Sequence, residues 1–167
     1  MIFLKDGDEV NNDYEESYKR VKESLKAYSN LKIKLLPADT STAELAALAL
    51  GTQPGQIAKT LCLLADGNPV LIVACGDRKI DTRKLGKELG VKKVRLADAE
   101  TVTAVTGFMP GGVCPFGLKE EVPVYLDRSL YAYDVTYIAA GTPNSALPIR
   151  AGELAEITGG IWIEATK

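Results

Sequence analysis

The chain contains no histidine. This absence excludes Ser-His-Asp and Cys-His catalysis, imidazole general bases and every metal site that needs a histidine ligand. Cysteine is scarce as well. Cys62, Cys75 and Cys114 are widely spaced and form no CxxC pair, which argues against a disulfide framework and a structural zinc site. Any chemistry must therefore use Lys, Asp, Glu, Tyr, a thiol, backbone groups or the substrate itself.

Long apolar segments are also missing. The apolar run at 70–75 is far shorter than the roughly 20 residues that cross a bilayer. The first residues lead directly into Lys5 and Asp6, without the basic start and the apolar stretch of a signal peptide. We therefore expect a cytoplasmic protein with no membrane partner.

Length and composition predict one globular domain. The chain has 167 residues, of which 46% are apolar and 25% are charged, as in an ordinary folded protein. A core of this size needs no disulfide or metal for its stability. We expect a single domain over 1–167, in which residues 1–30 form an N-terminal extension with a helix. Since no exposed apolar stripe is left over, we expect a monomer.

The charges are unevenly distributed, although the net charge is only −2. Residues 59–95 hold nine Lys and Arg against four Asp and Glu, whereas residues 96–167 hold four against nine. The basic segment has two explanations. It is either a solvated helix face or a flank that binds a polyanion with modest, salt-sensitive affinity.

The hydrophobic pattern predicts an α/β protein of the α+β type. Helical spacing and capping residues indicate helices over 13–27, 41–51, 81–90, 98–105 and 151–157, the second of which opens with a capping box at Ser41 and Glu44. Apolar, β-branched runs indicate strands over 33–36, 57–65, 70–75, 91–96, 122–126, 134–139, 145–149 and 161–164. Since strands and helices do not alternate strictly, we expect a mixed, barrel-like curved sheet of about seven strands surrounded by about five helices.

Lys59 is the first candidate for chemistry. It lies at the start of the apolar strand 57–65, so its ammonium either reaches water at a strand edge or is held in a pocket. In a pocket, the cation could bind a phosphate or polarise a carbonyl group.

The segment 106–117 is the second candidate, and its four glycines and two prolines predict a loop. Its glycines allow the backbone to approach a ligand, and its N–H groups could bind an oxyanion, although a plain turn explains the spacing equally well. Cys114 in this loop is either a nucleophile, which would need a low pKa, or a small side chain that lines the pocket. Without histidine nearby, the second explanation is favoured.

These residues, in this order and spacing, resemble the YbaK/EbsC family. Its members are free-standing aminoacyl-tRNA deacylases related to the editing domain inserted in bacterial prolyl-tRNA synthetase. The resemblance covers residues 40–167. It rests on the segments 40–44, 56–61, 85–90, 106–107, 111–117, 122–124 and 139–141, together with Gly51 and Asp127.

The resemblance implies hydrolysis of the ester that joins a wrong amino acid to the 3′ end of tRNA, with no metal, cofactor or acyl-enzyme. It places the family's invariant lysine at Lys59, which is therefore the expected catalytic residue. The residues expected to bind the substrate are Thr106, Gly107, Gly111, Gly112, Val113, Cys114, Pro115, Gly141 and Asn144. The residues expected to contact the tRNA are Arg78, Lys79, Arg83, Lys84 and Lys87.

An aminoacyl ester is reactive enough to be hydrolysed by positioning and by oxyanion stabilisation. Lys59 would bind the terminal phosphate or the carbonyl, and N–H groups of the loop would hold the oxyanion or the amino group of the substrate. The 2′-hydroxyl of the tRNA, or the amino or thiol group of the substrate, would replace a general base of the protein.

The chain departs from the family pattern in ways that leave the amino acid open. Many relatives have Ser in place of Cys114, and some Cys-tRNA(Pro) deacylases carry an acidic residue after Gly141, where residues 142–146 have none. We expect a substrate similar to Cys- or Ala-tRNA(Pro), with prolyl-tRNA synthetase as a candidate partner. Two alternatives remain at this point: a module that binds tRNA, an amino acid or a synthetase without turnover, and a thiol-transfer or redox protein that uses Cys114.

Overall fold

The computed structural model describes residues 2–3, 9–10, 14–37, 40 and 42–167. At residues 2–3 and 9–10 it describes only the pairing of the backbone strands. The helices in this part of the chain are α1 (Glu15–Ser24), α2 (Ala43–Leu50), α3 (Thr82–Leu89), α4 (Ala99–Thr106) and α5 (Ala151–Thr158). The strands are β1 (Ile2–Phe3), β2 (Glu9–Val10), β3 (Lys34–Leu35), β4 (Ile57–Ala65), β5 (Asn68–Cys75), β6 (Val94–Leu96), β7 (Val124–Asp127), β8 (Thr136–Ile138), β9 (Ser145–Ile149) and β10 (Ile161–Ile163). Short 3-10 helices lie at Pro54–Gln56 and Arg128–Ala132.

The main sheet has eight strands in the order β10-β7-β5-β4-β8-β9-β3, with β6 paired to β4 outside this path. The pairs β10/β7, β5/β7 and β4/β8 are parallel, whereas β4/β5, β4/β6, β8/β9 and β3/β9 are antiparallel. Strands β1 and β2 form a separate pair. The predicted mixed α+β fold is confirmed, and closure of the sheet into a barrel stays a prediction.

One edge of β4 is shared by two short strands. Along the other edge, β4 pairs with β5 from Ala58 to Ala65. On the shared edge, β8 pairs at residues 57–58 and β6 pairs at residues 63–65. The middle of β4, at residues 59–62, therefore lies between two neighbours that leave room beside it.

Capping residues set the ends of the helices on either side of this region. Asp81 caps α3, where its carboxylate accepts hydrogen bonds from the backbone N–H groups of Arg83 and Lys84, both at 3.1 Å. The N-cap of α2 is Thr42, whose hydroxyl accepts from the N–H of Leu45 at 3.1 Å. The predicted N-cap of α2, Ser41, lies outside the described residues. The structure has Thr42 as the N-cap of this helix.

The larger of the apolar clusters joins α1 to the loop 106–117. Val21 of α1 and Phe108 of the loop are completely buried in it, and Phe116 is buried beside them. Burial of this kind stabilises a large side chain by about 1.5–3 kcal/mol, so the loop is anchored through its apolar residues. A second cluster, around Leu63 and Leu85, packs α3 against β4 and β5.

No helix in the described part of the chain has the length and the apolar character needed to cross a membrane.

Candidate functional site

A cavity of about 440 Å³ opens beside the middle of β4. Its walls come from β4, α2, β8, the residues around the start of α4, and Pro110, Gly111 and Val113 of the predicted loop. This volume lies within the range of ~300–1,000 Å³ that is typical of small-molecule sites. The gap between β8 and β6 on the edge of β4 thus becomes the candidate site.

Lys59 lies in the wall of this cavity and is half-buried. Its ammonium donates a hydrogen bond to the backbone carbonyl of Arg78. Burial lowers the pKa of Lys59, because it removes water from the charged form. The negative charge of nearby Asp77 raises the pKa and so opposes the effect of burial. Lys79 lowers the pKa further by repulsion. The cation is therefore kept in a partly dehydrated position, where its field is stronger than on an open surface.

The structure brings the lysine and the predicted loop together. Gly111 and Val113 line the same cavity as Lys59, and so does Pro110. These loop residues are separated from Lys59 by about 50 positions in the sequence, so only the fold could establish that they share one cavity.

Gly112 and Gly141, in contrast, pack against each other. The N–H of Gly141 donates to the carbonyl of Gly112 at 3.1 Å, and a Cβ on Gly112 would lie 2.7 Å from the Gly141 carbonyl group. Glycine is thus required here for close contact between two backbone segments. The structure shows this approach between the two loops, and the predicted contact of Gly112 and Gly141 with a substrate stays a prediction.

Of three other predicted residues, two are held by side-chain hydrogen bonds and the third is buried outside the cavity. The hydroxyl of Thr106 is buried and donates to the carbonyl of Val102 at 2.7 Å. The Asn144 amide donates to the carbonyl of Leu36 at 3.0 Å, which links β9 to the end of β3. Pro115 is buried and lies beside a second, shallower groove rather than the cavity.

Cys114 is completely buried in the larger apolar cluster. Burial raises the pKa of this thiol to about 12, and its sulfur lies 3.5 Å from the carbonyl oxygen of Phe116. A catalytic thiolate needs a lowered pKa and solvent access. The alternative of a thiol-transfer or redox nucleophile, which required a depressed pKa, is therefore wrong.

The predicted tRNA-contacting residues lie on one exposed segment. Arg78 and Lys79 follow β5, and Arg83 and Lys87 are one turn apart on α3. Lys84 is also exposed, but its ammonium donates to the carbonyl of Thr166 at 3.2 Å, next to the last strand. Since Lys59 is bonded to the Arg78 carbonyl, this basic segment begins directly at the site.

Thr60 was not predicted from the sequence. It lines the cavity, and its buried hydroxyl has no hydrogen-bond partner among the residues that the structure describes. A buried hydroxyl without a partner costs free energy and often indicates a functional role. A threonine in a strand carries no such signal in the sequence, because β-branched residues are common there.

The composition of the cavity determines what chemistry it can perform. Among the described residues that line it there is no carboxylate, and the chain has no histidine. The described lining instead has the ammonium of Lys59 and the glycine- and proline-rich loop, together with polar side chains at Thr40, Thr42, Thr60, Cys62, Tyr137 and Ser145. Such a site can bind, orient and stabilise negative charge.

Residues 37–157 match the family model of the aminoacyl-tRNA editing domain. The chain is 40% identical over 130 residues to the uncharacterized protein YwhH of Bacillus subtilis, which covers 77% of this chain and 82% of YwhH. It is 34% identical over 129 residues to an Enterococcus faecalis protein named "Putative Cys-tRNA(Pro)/Cys-tRNA(Cys) deacylase EbsC", which covers 72% of this chain and 79% of that protein.

A solved structure supports the same relationship. The "Crystal structure of a putative trans-editing enzyme for prolyl tRNA synthetase" superposes with a TM-score of 0.85 at 32% identity and covers 95% of this chain and 99% of that chain. The family model spans most of the chain, and the similarity extends over nearly the whole length of a solved relative. The chain therefore belongs to the YbaK/EbsC family of aminoacyl-tRNA editing domains.

Proposed function

We propose that this chain is an aminoacyl-tRNA deacylase that acts in trans on tRNA carrying a wrong small amino acid, with Cys-tRNA(Pro) and Ala-tRNA(Pro) as the first candidates. The observation that carries the proposal is the shared cavity of Lys59, Gly111 and Val113. Family membership supports the reaction class. The volume of the cavity, about 440 Å³, is sufficient for an aminoacyl group.

The reaction is the hydrolysis of an ester. Water adds to the carbonyl carbon of the aminoacyl group, and a tetrahedral oxyanion forms. The bond from this carbon to the ribose oxygen then breaks, the ribose oxygen takes up a proton, and a free amino acid and an uncharged tRNA leave. Each step moves negative charge between oxygens, so a fixed cation and fixed dipoles can lower the barrier.

Lys59 is the proposed catalytic residue. Its ammonium stabilises the developing oxyanion or binds the phosphate of the terminal nucleotide. In this proposal the proton of the attacking water passes to the substrate itself, which fits a cavity wall with no carboxylate among its described residues. The 2′-hydroxyl of the terminal ribose, or the amino or thiol group of the amino acid, accepts it.

The loops complete the proposed site. Gly111 and Val113 contact the carbonyl end of the substrate, and the hydroxyl of Thr60 bonds its amino group. The other predicted substrate-binding residues act by holding the loops in shape. These residues are Thr106, Gly107, Gly112, Cys114, Pro115, Gly141 and Asn144.

The tRNA is the proposed macromolecular partner. Phosphates of the acceptor stem contact Arg78, Lys79, Arg83, Lys84 and Lys87, which are exposed beside the site. Prolyl-tRNA synthetase is the proposed source of the mischarged tRNA. Such a substrate places the protein in the cytoplasm, where we propose that it acts as a monomer.

A panel of charged tRNAs tests this function. Purified protein is mixed with Cys-, Ala-, Ser- and Thr-tRNA(Pro), with correctly charged Pro-tRNA(Pro), and with each amino acid on its own tRNA. We expect release from at least one mischarged tRNA(Pro) and no release from Pro-tRNA(Pro). If folded protein released no amino acid from any member of the panel, the proposal would be overturned in favour of a binding module without turnover.

A further inference from the structure

We propose that α1 is a positioning element of the site, which holds both cavity-lining loops in place through Arg20 and Ser17. This helix precedes residues 37–157, the part of the chain that matches the editing-domain family. The effect of α1 on catalysis rests on the proposed function, whereas its effect on the conformation of the two loops does not.

Arg20 joins both ends of the loop 107–117. Its Nη2 donates to the carbonyl of Gly107 at 2.9 Å, and its Nε donates to the carbonyl of Gly117 at 3.1 Å. The guanidinium carbon also lies 5.0 Å from the ring centre of Phe108, at the distance of a cation–π contact. One half-buried side chain thus fixes the points where the loop begins and ends.

Ser17 holds the second loop. Its hydroxyl oxygen lies 3.0 Å from the carbonyl of Gly141 and 3.0 Å from that of Tyr14, and its one proton is donated to either of them. A Cβ on Gly141 would lie 3.1 Å from Cγ2 of Val21, so the helix and the loop are in direct contact. Gly141 in turn bonds Gly112 in the middle of the first loop.

These contacts matter because both loops supply the cavity wall. Gly111 and Val113 come from the first loop, and the second loop contributes Ala139 and leads into Ser145, the first residue of β9. Neither Arg20 nor Ser17 lines the cavity in the described part of the chain, so both act through the residues that do. A displacement of about 1 Å in a positioned group can reduce an enzymatic rate roughly 100-fold. Arg20 and Ser17 are therefore positioning residues.

The contact also explains Gly107. Its φ is +78°, and a Cβ at this position would overlap the guanidinium of Arg20. A larger residue would strain the backbone and push the arginine from its carbonyl partners.

Arg20→Gln and Arg20→Lys test the proposal, with Lys19→Ala as the control. Lys19 is the exposed neighbour on the same helix, and its ammonium pairs with Glu15 at 2.9 Å. Hydrogen exchange is measured at the amides of 107–117 and of the β4–β5 hairpin. We expect exchange in the loop to rise about 10-fold or more in Arg20→Gln and less in Arg20→Lys, with the hairpin and the Lys19→Ala protein unchanged.

Kinetics separate positioning from stability. In Arg20→Gln we expect kcat for deacylation to fall about 10- to 100-fold with KM changed by less than about threefold, because the substrate still binds while the reacting groups are misplaced. A soluble alkylguanidinium should restore part of kcat in Arg20→Ala and none in Lys59→Ala.

Two results would overturn the inference. One is unchanged loop exchange in Arg20→Gln, and the other is an equal rise of exchange in the loop and the hairpin, which would make Arg20 a general stabilising residue. If the wild-type protein released no amino acid at all, the proposed function would fail, while the exchange data would still decide whether α1 holds the loops.

Discussion

The ammonium of Lys59 donates a hydrogen bond to the backbone carbonyl of Arg78. The proposed catalytic cation is thus held at the point where the chain leaves β5 and enters the basic segment. Asp77, the residue before Arg78, raises the pKa of Lys59 against the lowering effect of burial. The protonation of the lysine therefore depends on an acidic neighbour that no sequence motif indicated.

This relationship predicts a pH effect of Asp77→Asn. Removal of the carboxylate lowers the pKa of Lys59 further, so the ammonium is lost at a lower pH than in the wild type. The alkaline limb of enzymatic deacylation, after subtraction of spontaneous ester hydrolysis, should move to lower pH. The measurement is kcat/KM from pH 6 to pH 10.

Glu88→Gln serves as the control for this experiment, because Glu88 is an exposed acidic residue of α3. Its pH profile should match the wild type. An alkaline limb of Asp77→Asn that coincides with the wild type would contradict a coupling between Asp77 and a Lys59 cation that acts in the rate-limiting step.

Thr60→Val should raise stability and reduce activity. The substitution preserves shape and removes a buried hydroxyl without a partner among the described residues, so the free energy of unfolding should rise by up to about 1 kcal/mol. If the hydroxyl bonds the substrate, kcat/KM should fall about 10-fold. Urea denaturation and deacylation kinetics measure the two effects.

Thr158→Val is the matched comparison, because the hydroxyl of Thr158 donates to the carbonyl of Leu154 at 2.7 Å. That variant should lose stability. A Thr60→Val protein that loses stability in the same way would indicate a hydrogen bond to this hydroxyl in solution.

The thiol of Cys114 should be inert in the native protein. Its side chain is completely buried and its pKa is raised to about 12 by burial, so very little thiolate exists at pH 8. Iodoacetamide at pH 8 should leave Cys114 unmodified in the native protein and modify it quickly in urea, as peptide mass spectrometry can show. Rapid alkylation of the folded protein at this residue would contradict the described core.

The basic segment should contribute to tRNA affinity through phosphate contacts. The double variant Arg83→Ala, Lys87→Ala should bind tRNA more weakly. If both side chains contact phosphates, the slope of log affinity against log salt concentration should fall in magnitude by about two units. Binding is measured by fluorescence anisotropy at salt concentrations from about 50 mM to about 300 mM. The combined Lys19→Ala and Lys26→Ala protein, which loses one exposed charge in α1 and one just after it, should retain the wild-type slope.

The sequence was sufficient wherever the determinants are local. The strands at 57–65 and 70–75 and the helix between Asp81 and Gly90 were predicted from apolar runs and capping residues, and the structure has β4, β5 and α3 there. The N-cap of α2 lies at Thr42, one residue after the predicted position, because the hydroxyl of Thr42 reaches the N–H of Leu45. Such shifts of one residue lie within the normal imprecision of helix ends.

The sequence was insufficient where the determinants are distant along the chain. The bond from Arg20 to Gly107 spans 87 positions, and neither residue indicates its partner. The contact between Gly112 and Gly141 was not predicted, because a glycine pattern alone does not show which backbone segment approaches the glycine. Burial of Cys114 likewise depends on α1 packing over its loop.

Deacylation by Lys59→Ala is the most direct test of the central claim. Release of the amino acid from the best mischarged tRNA in the panel is compared in the wild type, in Lys59→Ala and in Lys26→Ala, whose lysine is exposed on the surface near the end of α1. Loss of a group that stabilises the oxyanion typically costs about 100- to 1,000-fold in kcat. We predict a loss of this size in Lys59→Ala, with the wild-type rate in Lys26→Ala, and a folded Lys59→Ala protein with the wild-type rate would contradict the proposed role of Lys59.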